Sequence, residues 1–233
     1  MPTKAIDNKP RFTVVFGDIH GSTYWKKAVD ENPGCRHIFL GDYLDPYEDV
    51  APEKLIVNLK EIVQLKKDRH DEVILLLGNH DLHYLHLDIE PFCRFDEVIA
   101  EAAHDLFVEN RHLFVFAFQE DNHIFSHAGI SEKWFFDDFG GNANKNIAKQ
   151  LNNPYSDQLP ALYRCGASRG GDRNAVGGIF WADIGELYFD ILQNYTQIVG
   201  HNRVGNIREH TDNDGKIIFC DCLYNQIYLK LEF

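Results

Sequence analysis

Cysteine is scarce in this 233-residue chain: there are five (Cys35, Cys93, Cys165, Cys220, Cys222), an odd number with no Cys-x-x-Cys spacing. That excludes a disulfide-stapled scaffold, a zinc ribbon and a thioredoxin-type redox pair, and leaves reduced thiols acting as small buried hydrophobes. Basic residues are also short, with 23 Lys and Arg against 36 Asp and Glu and a formal charge of -13. Binding to nucleic acid begins with cations neutralising phosphates, so this balance argues against nucleic acid as a partner. Carboxylates gathered around metal ions would be cancelled locally, which keeps an anionic substrate compatible with the chain. No apolar run approaches the ~20 residues of a membrane span, and the lead from Met1 to Pro10 is polar. The expectation is a cytoplasmic protein with no membrane contact.

What is present is an ordinary globular balance, 44% hydrophobic and 25% charged, in a length that fits one domain spanning residues 1–233. Arg11 to Gly17 reads as a strand, and Gly21 to Asn32 as a weak helix closed by Pro33-Gly34. Arg36 to Gly41 gives a second strand. Pro52 then opens a helix with Leu55, Ile56, Leu59, Ile62 and Val63 on one face and Lys66-Lys67 in its last turn. Glu72 to Gly78 is a third strand. A helix is expected after Asp96 as N-cap, with Val98, Ile99, Ala102, Ala103, Leu106 and Phe107 as its buried stripe.

From His112 the pattern changes. His112 to Phe118 and Asn122 to Ser126 read as a hairpin that begins a second sheet, and Gly215 to Asp221 with Gln226 to Glu232 as a closing hairpin. Between them, about 140–178 is rich in Gly, Asn, Ser and Arg, with a short helix near Ile147 to Leu151, and reads as a long loop or cap of functional kind. The fold class is α/β, two packed mixed β-sheets flanked by helices.

The chemistry lies in five apolar runs that stop at a small residue followed by a metal-binding side chain. They are Val14-Val15-Phe16-Gly17-Asp18-Ile19-His20, Ile38-Phe39-Leu40-Gly41-Asp42, Ile74-Leu75-Leu76-Leu77-Gly78-Asn79-His80-Asp81, Ile124-Phe125-Ser126-His127 and Ile198-Val199-Gly200-His201. Ligands of α/β sheets gather beyond the carboxyl ends of strands, so these donors are delivered to one edge. Asp18, His20 and Asp42 suit a manganese, iron or zinc ion, and Asn79, His127 and His201 are enough for a second, with Asp42 able to bridge.

In this order the fragments Gly17-Asp18-Ile19-His20-Gly21, Gly41-Asp42-Tyr43-Leu44-Asp45, Gly78-Asn79-His80-Asp81, Ser126-His127-Ala128-Gly129 and Gly200-His201 resemble the calcineurin-like metallophosphoesterases. The resemblance is to their phosphoprotein phosphatase branch, with its bacterial members. It implies an αββα sandwich that hydrolyses phosphoesters of proteins or small molecules. It also implies two divalent ions, one held by Asp18, His20 and Asp42 and one by Asp42, Asn79, His127 and His201, with a metal-bridging hydroxide as nucleophile. His80 matches the position that protonates the leaving oxygen, paired with the carboxylate matching Asp45. Asp81 stands where Glu is usual and is read as an outer partner.

The family's second motif continues into an arginine that clasps the phosphate, whereas Asp45 is followed here by Pro46-Tyr47. Arg164, Arg169, Arg173 and Arg203 are the candidates to replace it. Trp181-Ala182-Asp183 resembles a segment that lies near the active site in the same branch. Tyr43 and Tyr47 are candidates for lining the pocket, and His83 and His86 are read as structural. Two other readings remain open at this point: a nucleotide hydrolase like the diadenosine tetraphosphatases, and a non-catalytic interaction module on the same fold.

Overall fold

The computed structural model describes residues 12–88 and 93–233. Strands β1 (Phe12–Phe16), β2 (Arg36–Phe39), β3 (Val73–Leu76) and β4 (Phe114–Val115) run parallel in one sheet. Helices α1 (Tyr24–Glu31) and α2 (Pro52–Asp68) make the first two crossovers, and α3 (Asn79–Leu85) with α4 (Ala100–Glu109) the third. The second sheet contains β5 (Ala117–Glu120), β6 (His123–Ser126), β7 (Thr196–Arg203), β8 (Arg208–Asp212) and β9 (Gly215–Asp221), in the order β5-β6-β7-β9-β8. A final strand, β10 (Leu229–Glu232), returns to the first sheet and pairs antiparallel with β1.

The parallel strands of the first sheet are mostly apolar because both faces are covered, with Thr13, Arg36 and His37 as the polar exceptions. Val14, Phe16 and Phe39 face a helix-side core with Trp25, Leu55, Leu59 and Phe107, while Val15, Ile38, Leu40 and Leu76 meet Phe125, Ile198 and Ile218 of the second sheet. Burying each such side chain contributes about 1.5–3 kcal/mol. Helix α2 follows its sequence signals, with Pro52 in the first turn, Leu55, Leu59, Ile62 and Val63 buried, and Lys66 and Lys67 in the last turn beside the free carbonyls.

Four expectations are corrected. The helix after Asp96 starts at Ala100, because the Asp96 carboxylate accepts from Val98 N at 2.9 Å and holds a turn instead of capping the helix. Val98 and Ala102 are therefore exposed, and Ile99, Ala103 and Phe107 carry the burial. His112 to Phe118 is not one strand: its first part supplies β4 to the first sheet, and the chain then crosses at Phe116 to begin β5 in the second. The closing hairpin does not exist either, since β9 pairs with β7 and β8 whereas β10 sits beside β1. Strand β8 carried no apolar signal because it is a mostly exposed edge.

Residues 140–178 hold two short helices, α5 (Ile147–Asn152) and α6 (Leu159–Leu162), docked through buried Ile147, Leu151, Ala161 and Leu162. Helix α7 (Ile184–Leu187) follows, capped by Asp183, whose side chain accepts from Gly185 N at 2.8 Å. Among the described residues no helix is long and apolar enough to cross a membrane. Strands β1, β2 and β3 are mutually parallel, as are β6, β7 and β9, so the carboxyl ends of six strands meet along one seam between the sheets.

Candidate metal centre

The turns beyond those strand ends are tied to one another before any ion is considered. His20 N donates to Asp42 O at 2.7 Å, His80 N to Asp42 Oδ1 at 2.9 Å and His201 N to Asp18 Oδ1 at 2.8 Å. The buried Asp81 joins two turns, accepting Asp42 N (2.8 Å) and Gly78 N (2.7 Å) on Oδ2 and Tyr43 N (3.0 Å) on Oδ1. A Cβ at Gly78 would collide with Asp42 Oδ1, and one at Gly200 with Asp18 Oδ1, which is why the small residue precedes the donor at these endings. Three donors, His20, Asp42 and His201, and the His80 partner Asp45 adopt positive φ of 40° to 58°. Such backbone conformations cost about 1–3 kcal/mol each and persist only where the surroundings hold them.

The side chains converge as a set of lone pairs. His127 gives Nδ1 to Leu40 O at 2.8 Å, which leaves Nε2 as an acceptor facing Asn79 Oδ1, another acceptor, at 2.9 Å. The Asn79 amide nitrogen is turned away toward Cys93 Sγ at 3.7 Å. His201 brings Nδ1 within 2.9 Å of the same Asn79 oxygen, and its Nε2 is buried with no hydrogen-bond partner among the described residues. His20 is held likewise, with Nδ1 2.8 Å from Leu44 O and Nε2 3.8 Å from Asp18 Oδ2 and 3.8 Å from Asp42 Oδ2. Asp42 Oδ2 is also 3.5 Å from His127 Nε2. Acceptors aimed at acceptors repel unless a cation lies among them, so this donor set fits divalent ions. Two groups have donor atoms all within 4.8 Å of one another: His20, Asp42 and His80, and Asp42, His127 and His201.

The electrostatics agree. Burial brings His20 down to about 4, and burial also lowers His127 and His201, so these imidazoles are neutral, the form that binds metal. Burial, then the neighbouring Asp221 and Asp42 carboxylates, pushes Asp18 well up. Burial and Asp42 raise Asp221 to about 7. His80 goes the other way: burial opposes its charge, but Asp42 and the hydrogen bond to Asp45 outweigh burial and push it up to about 12. Its Nδ1 is 2.7 Å from Asp45 Oδ2, and Tyr84 OH donates to Asp45 Oδ1 at 2.5 Å.

Residues 13–209 match the family model of the calcineurin-like phosphoesterases. The chain belongs to that family. No curated protein matches it significantly. Among solved structures it is similar to the cold-active protein-tyrosine phosphatase of the psychrophile Shewanella sp., with a TM-score of 0.60 at 17% identity, covering 95% of this chain and 75% of that one. It is also similar to a protein serine/threonine phosphatase from Saccharomyces cerevisiae, with a TM-score of 0.53 at 16% identity over 91% of this chain and 68% of that one. At these identities the likeness is one of fold.

The loop arginines of this calcineurin-like phosphoesterase are placed unequally. Arg164 pairs with Asp138 at 3.1 Å, and Arg173 is exposed. Arg169 lies near His201 and His127 but is occupied by Asp183 at 2.8 Å and by the side-chain oxygen of Asn202. Arg203 lines a cavity of about 350 Å³ with Asp18, His20, Tyr47, Asp221 and Tyr224. Tyr43 does not line it: the ring is buried among Phe107 and Phe114, and its hydroxyl donates to Leu76 O at 2.8 Å. Trp181 packs 5.9 Å from the His201 ring and 6.5 Å from that of His83. Neither His83 nor His86 enters a candidate metal group among the described residues.

Sequence reasoning missed Asp221, Tyr84 and Arg94. Asp221 closes a sixth apolar run, Ile217-Ile218-Phe219-Cys220, with Cys in the place of Gly or Ser, so the repeat itself held the signal. Tyr84 is in the second turn of α3 and Arg94 lies after that helix, positions that only tertiary structure brings to Asp45.

Proposed function

We propose that the chain is a two-metal phosphomonoesterase of the serine/threonine protein phosphatase type. Asp18, His20 and Asp42 would hold one divalent ion, manganese, iron or zinc, and Asp42, Asn79, His127 and His201 a second. Such ions, when bound, polarise phosphoryl oxygens and lower the pKa of water toward ~7. The observation that carries the reading is geometric: His127 Nε2 and His201 Nδ1 both converge on Asn79 Oδ1 at 2.9 Å beside Asp42, while His80 Nδ1 is tied to Asp45 Oδ2 at 2.7 Å. A protonated imidazole has no lone pair for a cation, which removes His80 from the first close-lying group and leaves the nearby Asp18 to complete it.

His80 then serves as general acid. Asp45 holds Nδ1, so Nε2 carries the proton delivered to the leaving oxygen. Tyr84 and Arg94 hold Asp45 in turn, the first through its carboxylate and the second through its backbone carbonyl at 2.8 Å.

The test is hydrolysis of 4-nitrophenyl phosphate, a phosphoserine peptide and a dinucleotide tetraphosphate by manganese-reconstituted protein. Both monoesters should be cleaved faster than the dinucleotide. His80→Asn should keep both metals yet slow the phosphopeptide by roughly 10²–10⁴-fold, with a smaller loss on the aryl ester, whose leaving group needs less protonation. Equal losses would remove the general-acid role, and no turnover of any substrate would end the enzyme reading.

A further inference from the structure

Three exposed side chains from separate segments meet beside His20: Tyr47 and Arg203 on the cavity that Asp18 and His20 line, and Arg94 on the adjoining one with Asp45 and Pro46. The Arg94 guanidinium lies 3.7 Å from the Tyr47 ring centroid and that of Arg203 lies 4.5 Å from it. The Tyr47 ring stands edge-on to His20, with centroids 5.1 Å apart. Arg94 is anchored through Asp45 O, one residue from Pro46, and Arg203 stacks also on Tyr224 at 3.7 Å. Neither guanidinium forms an ion pair among the described residues, unlike Arg164 and Arg169.

Two cations gathered on one ring lie within a Debye length, about 10 Å at 0.1 M salt, and repel each other. Stacking on tyrosine offsets about 0.5–1 kcal/mol of that for each exposed cation. A dianion received between them would turn the repulsion into attraction, and it would do so beside His20 and the Asp45–His80 pair. Pro46 leaves the segment after Asp45 with no donor of its own for a phosphate oxygen.

We propose that Arg94 and Arg203, positioned by Tyr47, together grip the non-bridging oxygens of the substrate phosphate. This rests on the phosphatase reading above and adds what holds the anion. The pair is assembled from two segments far apart in the chain instead of one loop. The 350 Å³ cavity that Asp18, His20 and Arg203 line then receives the esterified group on its Tyr224 side. Two guanidinium groups favour a doubly charged monoester over a singly charged diester.

Two measurements on the manganese-loaded full chain decide this: calorimetric titration with inorganic phosphate, and the KM and kcat for 4-nitrophenyl phosphate. Arg94→Ala and Arg203→Ala should each raise the phosphate Kd and the KM by roughly 10–100-fold, the worth of a charge-assisted hydrogen bond, with a smaller change in kcat. Tyr47→Ala should weaken phosphate binding comparably, and Tyr47→Phe should restore most of the loss because the stacking face remains. Unchanged phosphate affinity in both arginine variants overturns the proposal, as does a wild-type chain that binds no phosphate at millimolar concentration. If the chain hydrolyses nothing but phosphate binding follows the expected pattern, the grip stands and the phosphatase reading falls. If hydrolysis is normal and both arginine variants behave like the parent, the phosphatase reading stands and the grip falls.

Discussion

His37 is an imidazole used as a hydrophobe. It stands in β2 with both ring nitrogens buried and without a hydrogen-bond partner among the described residues, 6.2 Å from the stacked ring of Phe16. Burial, reinforced by Arg69, pulls its pKa down to about 4. Because the folded value lies below the unfolded one, the unfolded chain binds the proton first as pH falls. Stability conferred by the neutral ring is therefore full above about pH 6.5 and lost as pH drops toward 4, a change on the order of 3 kcal/mol. Chemical denaturation of His37→Phe across that window should show a flatter acid limb than the parent, and parallel limbs would refute the assignment. The contrast with His20, His127 and His201 is instructive, since burial neutralises those rings too but leaves their free nitrogens facing carboxylate or amide oxygens.

At the scale of elements, the turns beyond β2 and β3 act as one piece because Asp81, in the first turn of α3, accepts three backbone N–H groups from them. Asp81→Asn would set an amide NH₂ against some of those donors. Metal affinity should fall about 10–100-fold, as for other groups that orient ligands from behind, while secondary structure is retained. Competition with a chelator followed by circular dichroism separates the two effects. Much of this level was legible in the sequence. A buried parallel strand carries a short apolar run that stops where the chain turns, so β1, β2, β3, β6 and β7 announced themselves together with the donors that follow their runs. Strand β8 and the pairing of β10 with β1 were hidden, because an exposed edge needs no apolar pattern and a strand's partner is not written in its own residues. Asp221 was hidden because Cys220, and not a glycine or serine, stands before it. The meeting of Arg94 with Tyr47 had no local signal at all, since it depends on where two loops are carried by different elements.

For the molecule as a whole, the centre concentrates Asp18, Asp42 and Asp221 at one buried point, each opposing the ionisation of another or being opposed by it. In the metal-free chain this is a strain that divalent ions relieve. With its pKa raised to about 7, Asp221 destabilises the fold fully above that pH, and the effect vanishes as pH falls toward the ordinary carboxylate range. Asp221→Asn should accordingly raise the Tm of metal-free protein at pH 8, make no difference near pH 4, and reduce the further rise that manganese produces. Thermal scans with and without metal check all three, and an unchanged metal-free Tm at pH 8 would remove Asp221 from the charge cluster.

The pairing of β1 with β10 also sets an order in time. The strand that delivers Asp18 and His20 finds one neighbour early, in β2, but its other neighbour, β10, follows every other described element. The donors likewise run from Asp18 to His201, with Asp221 beyond, so a growing fragment lacks the full set until β7 and β9 have been made. Such distant pairings fold slowly. A nascent chain stalled before β7 carries Asp18, His20 and Asp42 but lacks His201, so of the two proposed cradles the second is the one left open until late.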